Sequence, residues 1–378
     1  MGVSTRLAWS IRIRDPIRLG EFMVFFIVGI PSRFAEWCVN LTGRIVERTL
    51  GPVDVVGANT IADVGHAVIK AMPPHIVFFS YHPVGHLRTA LLEGTARFVV
   101  ALEDPRRAVG DMVAQHGSDF LFEATRVVAR SSAALTSWDA VPAALVLHGD
   151  EYRGAPVAAA EAIARYLGLV ASEEDLASAL SAVGEPVGLA GDDDGQWWAR
   201  LDDTTRAAVE GALEPYAAHF LGGQLGPIVW QRDLFYINEE PVPAPYTVPA
   251  TRPMDITGRA RVLIYGPRVF LPAGAWIAAV SLGISPEAAE MSYLVEVFNG
   301  TTQLALAKVV PPGGERFVEV ILNFSVDDSF EFEKLIEIRI WNERAAFDGR
   351  IAIGHVKLTR QGHISIEMKE YFEKVLNG

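Results

Sequence analysis

The hydrophobic and polar positions along the chain follow two different periods, one in each half. In the first half, short apolar runs alternate with longer segments whose apolar residues recur at spacings of three and four, as on one face of a helix. This alternation predicts an α/β three-layer domain with a mostly parallel sheet over residues 1–238. Its predicted strands are Phe22–Gly29, Asp54–Gly57, Ile76–Ser80, Arg97–Leu102 and Ala144–His148.

The same domain contains segments of helical periodicity and one strongly acidic block. The predicted helices are Phe34–Leu50, Ile61–Ala71, Leu87–Gly94, Arg106–Gln115, Phe120–Ser132 and Val157–Gly168. Residues 171–223 carry eleven acidic and two basic side chains, a local net charge of −9, and form a block of helices and loops. Within it, Gly191-Asp-Asp-Asp-Gly195 has no apolar periodicity and predicts an exposed loop.

A proline-rich passage at residues 239–250 predicts a stiff linker, because proline continues neither a helix nor a central strand. Seven short β-branched and aromatic runs follow, separated by turn signals, and predict an antiparallel β-sandwich over residues 251–362. They are Arg261–Tyr265, Trp276–Leu282, Tyr293–Phe298, Leu304–Val310, Arg316–Phe324, Leu335–Trp341 and Arg350–Leu358. Residues 363–378 contain a predicted C-terminal helix, Ile366–Leu376.

Charge and cysteine usage narrow the class of protein. The 33 basic and 46 acidic side chains give a formal net charge of −13, so we expect no nucleic-acid partner. The single cysteine, Cys38, forms no internal disulfide, and no Cys/His spacing suits a metal site. The apolar run Phe22–Ile30 is too short for a bilayer, which needs about 20 residues, and no signal-peptide cleavage site follows it. We therefore expect a cytoplasmic protein without a transmembrane segment.

Several common catalytic signatures are missing from the sequence. It contains no G-x-x-x-x-G-K-S/T loop, no G-x-G-x-x-G after a strand, no G-x-S-x-G elbow and no H-E-x-x-H. Polar segments instead follow the predicted strands of the first domain. Pro31–Trp37 opens a helix whose N-terminus suits an anion, in a P-loop-like strand-loop-helix arrangement. Ser80–Pro83, Glu103–Arg107 and His148–Tyr152 follow later strands.

In order and spacing, these segments resemble the sulfotransferase family, which transfers a sulfonate from the nucleotide donor PAPS to a hydroxyl or amine. The resemblance covers residues 22–223. Pro31 and Trp37 stand where the ends of the family's 5′-phosphosulfate loop would be. The segment from Asp104 to Arg106 is similar to the family's 3′-phosphate segment, and Gly149–Leu169 is similar to a later family stretch.

The resemblance implies roles for individual residues. His82 corresponds to the catalytic base, a role that suits an imidazole because its pKa lies near neutrality. A purely structural role for His82 is the alternative. The residues that would contact PAPS or its product PAP are Ser32, Arg33, Arg106 and Arg107.

The chain departs from the family at the donor-binding positions. Phe34 stands where a glycine lets backbone amides approach a phosphate, and Ala35 and Glu36 replace hydroxyl donors. Glu103 and Asp111 replace an arginine and a serine that bind the 3′-phosphate. If both carboxylates face the pocket, their repulsion opposes binding of an anionic donor. The donor site is therefore expected to be degenerate, with no cofactor bound.

The second domain resembles the carbohydrate-binding β-sandwich modules that are attached to bacterial polysaccharide enzymes, which favours a bacterial source. An aromatic ring matches the apolar C–H face of a sugar. Tyr265, Trp341 and Phe347 are the residues predicted to bind carbohydrate. Trp276 lies in an Ala/Val-rich run, which predicts a core position.

Three functions are compatible with these patterns. The favoured one is a sulfotransferase-like pseudoenzyme that recognises or helps assemble a glycan or polysaccharide without PAPS-dependent turnover. The alternative is an active transferase, a sulfotransferase that moves sulfonate from PAPS to a carbohydrate hydroxyl with His82 as the base. The third is a structural subunit that forms a homo-oligomer through the sandwich and the Ile366–Leu376 helix.

Overall fold

The computed structural model describes residues 17–19, 22–70, 75–83, 87, 91, 97–136, 144–185, 196–221, 225–238, 248–269, 271–272, 274–311, 316–326 and 335–361. Contacts within the chain define two compact units, residues 1–103 with 137–188 and residues 104–136 with 189–378. Most of the predicted Leu87–Gly94 helix, the 191–195 loop, most of the linker and the C-terminal helix lie outside the described residues. Within the described residues, no helix combines the length and apolar character required to cross a bilayer.

A parallel sheet forms the centre of the first unit. Its five parallel strands have the order β3-β4-β2-β5-β6, and the short strand β1 (Ile17–Leu19) pairs antiparallel with the start of β2. The parallel strands are β2 (Phe22–Gly29), β3 (Val53–Gly57), β4 (His75–Ser80), β5 (Phe98–Leu102) and β6 (Ala144–His148). Each agrees with its predicted bounds to within one residue, so the α/β prediction is confirmed.

The helices agree with the predicted periodicity and extend it into the acidic block. They are α1 (Arg33–Leu50), α2 (Ile61–Lys70), α3 (Pro105–His116), α4 (Leu121–Leu135), α5 (Pro156–Leu167), α6 (Glu173–Val183) and α7 (Asp203–Phe220), with short helical turns at Gly149–Tyr152 and Gln196–Ala199. In the first unit, one face of α1 packs with α5, α6 and the sheet. The Trp37 indole N–H donates to the carbonyl of Gly184, at 2.8 Å, and so ties α1 to the end of α6.

The second unit contains an antiparallel β-sandwich, as predicted. Its strands are β7 (Ile228–Gln231), β8 (Tyr236–Ile237), β9 (Val248–Pro249), β10 (Met254–Asp255), β11 (Val262–Val269), β12 (Gly274–Ile284), β13 (Tyr293–Phe298), β14 (Gln303–Val309), β15 (Phe317–Val326), β16 (Ile336–Asn342) and β17 (Arg350–Arg360). The β12 sheet has the order β10-β17-β12-β15, with β7 also paired to β17. The β16 sheet has the order β14-β13-β16-β11-β8-β9.

Period-two alternation places the core between these two sheets. Along β12, alternate residues from Trp276 to Ile284 are buried and the residues between them are half-buried. Trp276 is fully buried, as predicted, and its indole N–H donates to the carbonyl of Pro272 at 2.9 Å.

The second unit also includes segments from before the predicted linker. β7 pairs with β17, and β8 pairs with β11. Helices α3 and α4 belong to this unit as well, and α4 packs against β11. The two units are defined by contacts within the chain, whereas the predicted boundaries at residues 238 and 250 separate one type of fold from another. Those boundaries therefore stay a prediction.

Candidate functional site

The carboxyl ends of the parallel strands bring several predicted segments to one edge of the sheet. Val28 lies opposite Ser80, and Leu102 lies opposite His148. The residues that follow these four strands in the chain therefore meet at the same edge, which is where ligands bind in open α/β sheets. The predicted donor-loop residues Ser32 and Arg33 and the predicted base His82 lie here.

At this edge, residues at the N-terminus of α1 form hydrogen bonds with one another. The Ser32 hydroxyl, which is buried, accepts from the backbone N–H of Ala35 at 3.1 Å and caps the helix. Arg33 donates to the carboxylate of Glu36, one turn along, with Nη1 2.9 Å from Oε2. The hydroxyl and the guanidinium predicted to contact a donor phosphate thus both have internal partners.

Phe34 belongs to the hydrophobic core. It is fully buried, and its ring stacks on Trp37 with the centroids 6.0 Å apart. Burying such a ring contributes about 1.5–3 kcal/mol. Phe34, which stands where the sulfotransferase loop has a glycine, therefore stabilises the packing of α1 against the core.

Glu103 forms an ion pair that the sequence analysis missed. It is 3% exposed, and Arg153 Nε donates to its Oε2 at 2.9 Å while Arg153 Nη2 contacts the same oxygen. A Cβ on Gly149 would lie 2.8 Å from that oxygen, so glycine is needed there. This corrects the picture of Glu103 as an uncompensated charge facing the donor pocket, because Arg153 neutralises it. Glu103 follows β5 and Arg153 follows β6, the parallel neighbour of β5. The adjacency of these two strands was the signal from which the ion pair could have been predicted.

Neutral polar groups surround this ion pair and the start of α1. Burial raises the pKa of the Cys38 thiol, and the nearby Glu103 carboxylate raises it further, so the thiol stays protonated. Burial likewise raises the pKa of Tyr81 to about 12, with a contribution from Glu36. His82 is half-buried directly after Tyr81. Its role as a base stays a prediction.

Arg106 and Arg107, the other two predicted donor ligands, lie in the second unit at the start of α3. Asp104 caps this helix and accepts from the Arg106 guanidinium, with Nη2 2.6 Å from Oδ2. Arg106 Nη1 also lies 3.1 Å from Oε2 of Glu214. Hydrogen bonding to Asp104 raises the pKa of Arg106, which therefore stays charged and engaged by two carboxylates. Arg107 is half-buried.

In the sandwich, Tyr265 and Trp341 lie on the outer face of the β16 sheet. Tyr265 on β11 lies opposite Arg339 on β16. Trp341 lies two residues after Arg339 on β16, and therefore on the same face of the sheet. The Tyr265 ring is 5.4 Å from the Arg268 guanidinium. The Trp341 indole N–H donates to Glu296 at 2.9 Å. The structure thus brings these two predicted residues to one face, where both are engaged by charged neighbours.

Phe347 lies at a cleft of about 540 Å³ in the same unit. It is 98% exposed. The cleft is lined by residues that include Glu287, Glu290, Lys308, Arg344, Phe347 and Asp348. Lys308 Nζ lies 2.6 Å from Oε2 of Glu343, and this hydrogen bond lowers the pKa of Glu343. Phe347 was predicted from the sequence, whereas Lys308 and Arg344 were not, because only their charge distinguishes them in the sequence. No cluster of three or more potential metal ligands occurs among the described residues.

The chain joins an α/β domain with a parallel sheet to an antiparallel β-sandwich, as the sequence predicted. Solved sulfotransferase structures match the N-terminal half, and carbohydrate-binding modules match the rest. Mouse sulfotransferase SULT7A1 in complex with PAP is 11% identical with a TM-score of 0.36, over 52% of this chain and 84% of that chain. Retinol dehydratase in complex with retinol and PAP is 12% identical with a TM-score of 0.34, over 51% of this chain and 80% of that chain.

For the sandwich, the C-terminal carbohydrate-binding module of the marine laminarinase LamC from Zobellia galactanivorans is 10% identical with a TM-score of 0.23. That match covers 35% of this chain and 99% of the module. No protein-family model matches the sequence, and no curated protein matches it. The likenesses concern fold alone, and PAP and retinol are ligands of those other proteins.

Proposed function

We propose that this protein recognises a glycan through the cleft beside Phe347 and does not turn over PAPS. The cleft is the observation that supports this function. Its volume of about 540 Å³ lies within the range of about 300–1,000 Å³ that is usual for small-molecule sites. A phenylalanine that is 98% exposed keeps a flat apolar face in water, and this face suits the C–H face of a sugar ring.

The polar lining of the cleft supports a neutral, hydroxyl-rich ligand. The carboxylates of Glu287, Glu290 and Asp348 accept hydrogen bonds from hydroxyl groups, and Arg344 donates them. The Lys308 charge is balanced by Glu343. Because both signs of charge line the cleft, it has no strong bias toward a polyanion.

The absence of PAPS turnover is supported by the charge arrangement in the first unit. A doubly anionic donor needs unengaged cations and helix N–H groups. Ser32 caps α1 and Arg33 pairs with Glu36. The buried anion at the end of β5 is the protein's own Glu103, held by Arg153.

A glycan array of neutral oligosaccharides of glucose, galactose, xylose and N-acetylglucosamine, followed by calorimetry with the strongest binder, tests the recognition. We expect Phe347→Ala to weaken binding by about tenfold, which is about 1.4 kcal/mol. Phe347→Tyr keeps the ring and should bind as the wild type does. The proposal fails if no oligosaccharide binds, or if Phe347→Ala binds as tightly as Phe347→Tyr.

Calorimetry with PAP and a radiolabelled-sulfate transfer assay test the second part. We expect neither binding at micromolar PAP nor transfer to the oligosaccharides of the array. Transfer that His82→Ala abolishes would establish the active sulfotransferase instead. Micromolar PAP binding without transfer would contradict the expectation that the donor site is degenerate and binds no cofactor.

A further inference from the structure

Strand β15 forms one edge of the β12 sheet. All ten residues of β15 pair with β12 on one side, from Phe317 opposite Gly283 to Val326 opposite Gly274. On its other side, no strand within the described part of the chain pairs with it. β14, the edge strand of the β16 sheet, lies beside β15 without forming a ladder with it.

Within its described residues, the strand itself carries none of the sequence features that usually protect a sheet edge. Edge strands are commonly short, or carry lysine, proline or a bulge that prevents pairing with another chain. β15 contains no lysine or proline, its one charged residue is Glu319, and its register with β12 has no shift. Two of its outward side chains are large and apolar, with Phe317 81% exposed and Ile321 51% exposed. Such a strand is suited to pairing with a further strand.

We propose that the partner is β15 of a second copy of this chain, paired antiparallel about a two-fold axis through Ile321. In an antiparallel pair, side chains directly opposite each other share a face, so a two-fold axis places one residue opposite its own copy. With Glu319 in that position, like charges would face each other. With Ile321 there, two apolar side chains meet, and residues 317–325 all find partners.

The register centred on Ile321 is also complementary at the polar positions. It places Glu319 opposite Asn323 of the second copy, and Phe317 opposite Ser325. The Asn323 amide oxygen already accepts from Gln361, with Nε2 3.2 Å from Oδ1, so the amide N–H₂ is directed away as a donor. That donor matches the Glu319 carboxylate. No other register of the outward residues pairs the single charge with a donor and the isoleucine with itself.

Engineered cysteines in the full chain test this register. Cys38 is fully buried, so a cysteine introduced on β15 is the accessible thiol under mild oxidation. Residues directly opposite each other have Cα atoms about 4.5–5.5 Å apart, a separation that a disulfide can span. We expect Ile321→Cys to yield a covalent dimer. Asn323→Cys should yield no covalent dimer, because its two copies lie about 14 Å apart along the strands.

The solution mass provides the second readout. Light scattering over a range of concentrations should show a concentration-dependent dimer, with Ile321→Lys raising the dissociation constant at least tenfold. Leu306→Lys, at a 48% exposed aliphatic position on edge strand β14, is the matched control and should leave it unchanged. Circular dichroism confirms that each variant is folded, and Ile321→Thr replaces Ile321→Lys if the latter is not.

The inference is overturned if the wild type stays monomeric at every concentration, or if Ile321→Cys and Asn323→Cys cross-link equally. It does not depend on glycan binding, because both readouts are taken without any ligand.

Discussion

The Arg153 guanidinium lies against the Glu103 carboxylate at the carboxyl edge of the parallel sheet, with Nε 2.9 Å from Oε2. The Glu103 side chain is fully buried and that of Arg153 is 17% exposed. The two charges therefore compensate each other in a place where water reaches little of either. The carboxyl edge of the parallel sheet therefore holds an internal ion pair.

Replacing Glu103 with Gln should destabilise the first unit, because Glu103 would no longer neutralise the largely buried charge of Arg153. We expect a loss of about 3 kcal/mol in the free energy of unfolding, measured by urea denaturation. The matched control is Glu47→Gln, which breaks the exposed Arg44–Glu47 pair at 2.7 Å. That loss should stay within about 0.5 kcal/mol. Equal losses for the two variants would contradict the role of burial.

Gly149→Ala should also disturb the ion pair, because the new Cβ would lie 2.8 Å from Glu103 Oε2. Overpacking of this kind costs about 1–3 kcal/mol. Gly154, in the following turn, has no atom within 4 Å of a built Cβ and is exposed, so Gly154→Ala serves as the control. Thermal denaturation of the two variants should show a lower midpoint for Gly149→Ala alone.

Two glycines within helices should respond to alanine with opposite signs. Gly65 in α2 has open space around it, so Gly65→Ala should stabilise the protein by about 1 kcal/mol through helix propensity. Gly110 in α3 lies against Trp197, whose Nε1 would be 2.5 Å from the new Cβ. Gly110→Ala should therefore lower the midpoint and shift the tryptophan emission. A stabilising Gly110→Ala would show that Trp197 does not pack there.

The start of α6 should weaken in acid. Hydrogen bonds from the Ser172 hydroxyl and backbone N–H hold the pKa of Asp175 below its usual value. A carboxylate with a lowered folded pKa contributes its full stability above the unfolded pKa of about 3.9. This contribution is lost as the pH falls through the folded pKa. Carbon-13 NMR titration of Asp175 should show the lowered pKa, and Asp175→Asn should remove this acid-dependent part. A pKa at or above the unfolded value would contradict the capping box.

The main strands were predictable because each is long enough to show its period. The strands β7 to β10 were not, since runs of two to four residues carry no periodic signal. β7, β8 and β10 pair with longer strands, and β9 pairs with β8. The residues of the candidate sites likewise carry no periodic signal. Phe347 was predicted only because an aromatic ring suits a sugar. Arg153 was missed because its importance depends on Glu103, fifty positions earlier in the chain.

The pairing of β7 with β17 has a consequence for synthesis on the ribosome. Chains emerge from the N-terminus, and compact units fold as their segments become available. The first unit has all its segments by residue 188. Helices α3 and α4 emerge earlier than residue 188, yet α4 packs against β11, which is synthesised later. Strand β7 pairs with β17 (Arg350–Arg360), which is synthesised later still. The nascent chain therefore contains every segment of the first unit while α4 still lacks β11 and β7 still lacks β17.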